Sequence, residues 1–181
     1  MNFPKVIQLL QAEFAKQNID FALIGGLAIH ALGISRTTRD MDGLALLSKA
    51  PQIDNIMKAL GYEVLQRTDD VANYISKDWE MGRVDIIFAH RPYAVSMLQR
   101  AKEQALFDGK IKVLVPEDII GLKIQSTSND PDRIHKDMAD VEMLLRLHGK
   151  TLDWKRVEEY FRLFHREKEF ADLSRRFEHA Q

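Results

Sequence analysis

Cysteine is absent from the 181 residues, which excludes disulfides and thiolate metal sites. Long apolar runs are also missing: none approaches the ~18–20 residues needed to cross a bilayer. The opening stretch "MNFPKVIQLLQAEF" spaces its apolar residues at helical intervals and carries Glu13. It lacks the basic start and unbroken apolar stretch of a signal peptide. These features together lead to the expectation of a cytoplasmic protein without a membrane partner. Neither charge sign dominates, with 26 Lys and Arg against 27 Asp and Glu and a net charge of -1. A dedicated nucleic-acid binder carries a strong basic excess. Dedicated DNA binding is therefore not expected, and any nucleic-acid contact has to come from local patches. Internal repeats and low-complexity segments are lacking too.

What is present is an ordinary globular balance, 45% hydrophobic and 29% charged, enough to build a real core. Residues 3–17 read as an amphipathic helix, with Val6, Leu9, Leu10 and Phe14 on one stripe. "DFALIGG" is a short apolar strand closed by a glycine pair, and "GLAIHALG" is a short helix after it. "DMDGLALL" is the next strand, and "PQIDNIMKALGY" a helix opened by Pro51. "YEVLQ", "VANYISKDW" and "VDIIFAH" read as strands, with "EMGR" as a turn. Residues 92–108 read as one helix, and "KIKVLV" as a short strand before Pro116. The rest of the chain is helical. Strands alternating with helices predict an α/β (α+β) fold, with a mixed β-sheet carrying packed helices. The expected organisation is a core over 1–115 and a helical C-terminal region over 116–181.

The stretch "SRTTRDMDGLAL" carries the first chemistry. "DMDG" invites comparison with a calcium loop, which needs acidic ligands at positions 1, 3 and 5, glycine at 6 and glutamate at 12. With Asp42-Gly43 at positions 5 and 6, Thr38 falls at 1 and Lys49 at 12, so the calcium reading fails. In a strand, residues i and i+2 share a face ~6.5–7 Å apart. Asp40 and Asp42 then stand side by side, either as solvated aspartates at a strand start or as ligands of a divalent cation. Asp85 lies mid-strand among apolar residues, where a carboxylate needs a partner. If its strand neighbours the first, three carboxylates cluster, and a two-metal site becomes available. Upstream, Gly25-Gly26 join a strand to a helix, a turn in which backbone N–H groups and the missing Cβ suit a phosphate.

Gly25-Gly26, Asp40-Met41-Asp42 and Asp85 resemble the pattern of the polymerase-β-like nucleotidyltransferases. The fuller element Arg36-x-Thr38-x-Asp40-x-Asp42 is narrower and resembles the minimal nucleotidyltransferases, closest in pattern to the AbiEii-type enzymes of type IV toxin–antitoxin systems. Lys123, followed by Lys136, Asp137 and Asp140, is similar to the elements that come after the core in that group. The resemblance spans residues 21–145. It implies NMP transfer from an NTP to a protein, RNA or small-molecule acceptor, with an antitoxin-type partner protein. Asp40, Asp42 and Asp85 would be the catalytic residues and the ligands of Mg²⁺ or Mn²⁺. Gly25, Gly26, Arg36, Thr38 and Lys123 would meet the nucleotide, with Lys136, Asp137 and Asp140 behind them.

Leu27 and Gly43 depart from the pattern. Leu27 brings no hydroxyl after the glycine pair, and Gly43 stands where relatives mostly carry an aliphatic residue. They support the alternative of a non-catalytic nucleotide- or partner-binding module on the same fold. Elsewhere the blander readings stand beside the functional ones. Arg133 with Asp137, and Lys136 with Asp140, have the i,i+4 spacing of ion pairs on a solvated helix face. His30 reads as a core or edge histidine, and Trp79 and Trp154 as packing residues.

Overall fold

A computed structural model describes residues 1–177, and the chain divides into two compact units, Met1–Leu114 and a second beginning at Val115. The first unit opens with α1 (Phe3–Lys16), capped by Asn2, whose side chain accepts a hydrogen bond from the Lys5 N–H. Its buried stripe is Val6, Ile7, Leu10 and Phe14. β1 (Phe21–Ile24) is buried along its whole length, as its continuous apolar run dictates. Then come α2 (Gly25–Ala31), β2 (Met41–Leu46), α3 (Ala50–Ala59), β3 (Tyr62–Arg67), β4 (Val71–Ser76) and β5 (Arg83–Ala89). α4 (Pro92–Arg100), β6 (Lys102–Leu106) and β7 (Gly109–Val113) complete the unit.

The seven strands form one mixed sheet in the order β3-β4-β5-β2-β1-β7-β6. β2 lies antiparallel to β1 and parallel to β5, and β4 lies antiparallel to both β3 and β5. Side-chain alternation divides the two faces cleanly. Met41, Ala45, Val84, Ile86, Phe88, Ala72 and Tyr74 share one face and are buried. α3 packs on that side, since its Asp54 accepts a hydrogen bond from the Tyr74 hydroxyl. Asp42, Asp85 and Asn73 lie on the opposite, more open face.

The expected helix over 92–108 is corrected. α4 stops at Arg100, and Lys102–Leu106 instead forms β6, the partner of β7 in a hairpin. Lys, Glu, Gln, Ala and Leu all favour helix intrinsically, by a few tenths of a kcal/mol each. Ala101 leaves the helical region at φ -55, ψ 138, and pairing with the β-branched residues of β7 decides the outcome.

β3 is an edge strand with a bulge. Val64 pairs with Tyr74 and Gln66 with Asn73, so Leu65 is an extra residue. The shift turns Arg67 onto the α3 face, opposite Ala72. There its Nε lies 3.2 Å from Asp54, and its guanidinium stacks 4.6 Å from the centre of the Phe88 ring.

In the second unit, α5 (Pro116–Asn129), α6 (Ile134–His148), α7 (Trp154–Leu163) and α8 (Glu167–Phe177) enclose Ile120, Ile124, Val141, Leu144, Val157 and Phe161. Gly121 lets α7 approach α5 closely: a Cβ there would fall 2.7 Å from the Tyr160 ring. The Tyr160 hydroxyl donates to the buried Asp118 at 2.7 Å. Trp154 donates its indole N–H to the Gly149 carbonyl at 2.8 Å and packs its ring against Phe170, as expected, whereas Trp79, expected to pack as well, is exposed.

Candidate functional site

The strand order makes Asp42 and Asp85 direct register partners on the parallel pair β2 and β5. Their apolar neighbours explain why both segments become central strands. Met41, Leu44 and Ala45 are fully buried on β2, as are Val84 and Ile86 on β5. Asp40 sits one residue before β2 begins. The Thr38 hydroxyl lies 3.0 Å from its carboxylate and 3.1 Å from its backbone carbonyl, fixing the entry to the strand.

Gly25 opens α2 at φ +64, in the left-handed region that suits glycine. A Cβ on Gly25 would fall 2.1 Å from Asp42 Oδ2, so the glycine turn and the carboxylate are in direct apposition. Gly26 has a parallel role, since a Cβ there would lie 2.8 Å from the Thr38 side chain. The first turn of α2 has no side-chain cap. Arg36, in the same connection, donates to the Thr37 carbonyl at 3.1 Å.

Two residues that sequence reasoning did not single out complete this face. The Asn73 amide donates to Asp85 Oδ1 at 2.8 Å. Arg83, two residues before Asp85 on the same face, brings its Nε to 2.8 Å and 3.0 Å from the two Asp85 oxygens. The hydrogen bond to Asp85 holds the Arg83 guanidinium above its ordinary pKa, partial burial opposes this, and the charges of Asp85, Asp40 and Asp42 add to the rise. The period-2 alternation of "RVDII" already put Arg83 beside Asp85. No pattern in the chain could have paired Asn73 with Asp85, because that depends on the order of strands in the sheet.

The departures from the family pattern have structural reasons. A Cβ on Gly43 would sit 2.0 Å from the Phe21 ring, so the aromatic side chain of β1 fills the space an aliphatic residue would take. Leu27 is buried and belongs to the core.

Lys123, Asp137 and Asp140 meet within the second unit. The Lys123 ammonium lies 2.7 Å from each carboxylate, and both carboxylates are buried. Arg133 adds a contact to Asp137 at 3.0 Å. Burial alone would push the Asp137 carboxyl up, but hydrogen bonds from Lys123 and Arg133, together with the Lys123 charge, hold it below the usual range. Arg133 and Asp137 do pair at i,i+4, but Asp137 is buried and not on a solvated face, while Asp140 meets Lys123 and Lys136 is exposed.

Among the described residues, no three His, Cys, Asp or Glu side chains form a ready-made cage for a metal ion. The donor chemistry on the open face still suits a hard divalent cation. Asp42 and Asp85 offer oxygen ligands in register on neighbouring strands, Asp40 lies two residues before Asp42, and the missing Cβ of Gly25 makes room for the Asp42 carboxylate.

Comparison with known proteins decides the lineage. The chain matches the family described as nucleotidyl transferase AbiEii toxin, Type IV TA system, over residues 8–180. It belongs to the AbiEii nucleotidyltransferase family. The fold of this AbiEii-family chain is similar to the solution structure of the antibiotic-resistance factor ANT(2'')-Ia, with a TM-score of 0.68 and 19% identity, covering 99% of this chain and 100% of that one. The crystal structure of ANT(2'')-Ia in complex with adenylyl-2''-tobramycin gives a TM-score of 0.67 at 19% identity, over 89% of this chain and 95% of that one. The lincomycin-bound lincosamide antibiotic adenylyltransferase LnuA gives 0.56 at 14% identity, over 79% and 96% of the two chains. No curated protein matches. The expected class and the mixed sheet with its helices are thus borne out, and the chain is a nucleotidyltransferase. Among the described residues, no helix is long and apolar enough to cross a membrane.

Proposed function

We propose that this nucleotidyltransferase works at Asp40, Asp42 and Asp85 with Mg²⁺ or Mn²⁺, moving NMP from an NTP to a hydroxyl-bearing acceptor. The observation that carries the reading is the direct register of Asp42 with Asp85, with Gly25 pressed against the Asp42 carboxylate. A divalent cation bound there neutralises phosphate charge and polarises the reacting oxygens. Asp40 and Asp42 would hold it, and Asp85 would complete the site and take the acceptor proton. Thr38 holds Asp40 in position, and the backbone N–H groups at Gly25 and Gly26, to which Ile24 offers no side-chain cap, are suited to triphosphate oxygens. Arg36, in the connection that leads into β2, is the cation assigned to the nucleotide. The acceptor oxygen bonds to the α-phosphorus, the bond from that phosphorus to the bridging oxygen breaks, and pyrophosphate leaves with the electron pair.

The family's type IV description supports a toxin working against an antitoxin-type partner protein. Of the structural neighbours, ANT(2'')-Ia holds adenylyl-2''-tobramycin and LnuA holds lincomycin, which supports a small molecule as one acceptor class beside protein and RNA. Of the two motives for the non-catalytic alternative, the Phe21 ring that fills the space beside Gly43 weakens one, while Leu27, a core residue, still brings no hydroxyl.

The decisive experiment incubates the protein with Mg²⁺, each α-labelled NTP and cell extract, then counts label in protein, RNA and small-molecule fractions. Label should enter one fraction, and Asp42→Asn or Asp85→Asn should abolish it. Absence of label from every fraction with every NTP would sink the reading.

A further inference from the structure

We infer that Arg83 is the resident counter-cation of the carboxylate face, and that a divalent cation must displace it from Asp85 to bind. The inference rests on the metal reading proposed above. Its basis is geometric. Arg83 and Asp85 are i and i+2 on β5, so both project from the open face, and the Arg83 Nε lies 2.8 Å and 3.0 Å from the two Asp85 oxygens. Asn73 donates to the same Oδ1 at 2.8 Å. The Asp85 carboxylate therefore has both oxygens engaged by nitrogen donors.

A Mg²⁺ ion needs an oxygen lone pair at ~2.0–2.1 Å. Arg83 sits in front of both oxygens, whereas Asn73 holds only one. Arg83 must therefore leave, and Asn73 can stay and keep Asp85 oriented. The Arg83 side chain is 44% exposed and Asp85 only 16%, so the guanidinium is the partner with room to move.

The exchange has an electrostatic logic. Three carboxylates, Asp40, Asp42 and Asp85, act on this one guanidinium. Without a cation they would repel one another, and Arg83 supplies a built-in positive charge that keeps the metal-free sheet stable. A bare divalent cation has to separate Arg83 from Asp85 and leaves the guanidinium beside an added positive charge. A cation arriving with a triphosphate brings the anion that a displaced guanidinium can pair with. Arg83 thus favours the metal–nucleotide complex over the free metal, acting as a positioning residue for Asp85 and a selector of the loaded substrate.

The test measures Mn²⁺ binding by electron paramagnetic resonance, and thermal stability with and without Mn²⁺, for wild type, R83Q, R83K and D85N, each without nucleotide and with a non-hydrolysable NTP analogue. R83Q should melt below wild type without metal, bind free Mn²⁺ roughly 10-fold more tightly, and recover its stability when Mn²⁺ is added. It should also lose most of the preference for Mn²⁺ presented with nucleotide. R83K should fall between the two, since its ammonium keeps the charge but loses the planar guanidinium that holds the Nε–H in place, and it serves should R83Q not fold. Mn²⁺ binding that D85N abolishes but R83Q leaves equal or weaker overturns the Arg83 inference while the metal reading stands. Absence of any Mn²⁺ binding that depends on Asp85 overturns both.

Discussion

The Asp42 carboxylate occupies the space beside Gly25 so closely that a Cβ on the glycine would fall 2.1 Å from Oδ2. Gly25 also has φ +64, which L-residues other than glycine adopt at a cost. Two independent constraints thus fall on one residue. Gly25→Ala is expected to cost roughly 1–3 kcal/mol of stability. Displacing Asp42 by about 1 Å should also lower nucleotidyl transfer by about 100-fold. Thermal unfolding and label transfer measured on the same preparation check both effects.

Gly43 and Phe21 form a second constrained pair, with a Cβ predicted 2.0 Å from the ring. Gly43→Ala should destabilise the fold by about 1–3 kcal/mol through overpacking. Phe21→Leu should cost stability by itself, yet recover part of the loss when combined with Gly43→Ala. A double-mutant cycle in urea measures the coupling, and strictly additive effects would argue against this contact.

Lys123, itself partly exposed, lies between the buried Asp137 and Asp140 at 2.7 Å from each. Lys123→Met leaves two buried carboxylates without that cation and should cost about 3–5 kcal/mol. The pH dependence has a defined sign. The folded Asp137 carboxyl is held below its ordinary value, so it contributes stability above the unfolded pKa of about 3.9. That contribution is lost as pH falls through the lower folded value. Asp137→Asn should therefore flatten the acid limb of a stability–pH curve below about pH 4.

Tyr62 works in the opposite direction. Burial, with a smaller push from the Asp78 charge, raises its phenol to about 12, and its hydroxyl donates to the Met81 carbonyl at 2.9 Å. The unfolded phenol ionises near 10. Between pH 10 and about 12 the folded state therefore holds more protons, and stability falls as pH rises. Tyr62→Phe should reduce that alkaline slope. Ultraviolet titration of the phenolates should show one fewer late-ionising tyrosine in the variant.

The carboxylates and glycines were legible in the sequence because their signals are local. A turn after an apolar strand requires Gly25, and period-2 alternation puts Asp85 on a face of its own. Asn73 was not legible, since its bond to Asp85 exists only because β4 lies next to β5. The same holds for Gly43, which looks like a weakness until Phe21 is folded against it. The segment 102–106 was misread because its residues favour helix and only pairing with β7 makes it a strand. Lys123, Asp137 and Asp140 were singled out by resemblance, while their mutual contact depends on how α5 and α6 pack.

The extra residue in β3 acts as a charge sorter. Because Leu65 has no partner of its own, Arg67 turns toward Asp54 and Phe88 and away from the side bearing Asp85. Were Leu65 instead paired with Asn73, simple alternation would put Arg67 opposite Val71 and carry its guanidinium to the side bearing the carboxylates. That pairing would also straighten the outermost strand, leaving a smoother border for other chains to join. One unpaired leucine therefore keeps a second arginine off the acidic side and breaks the line along which the sheet would otherwise grow.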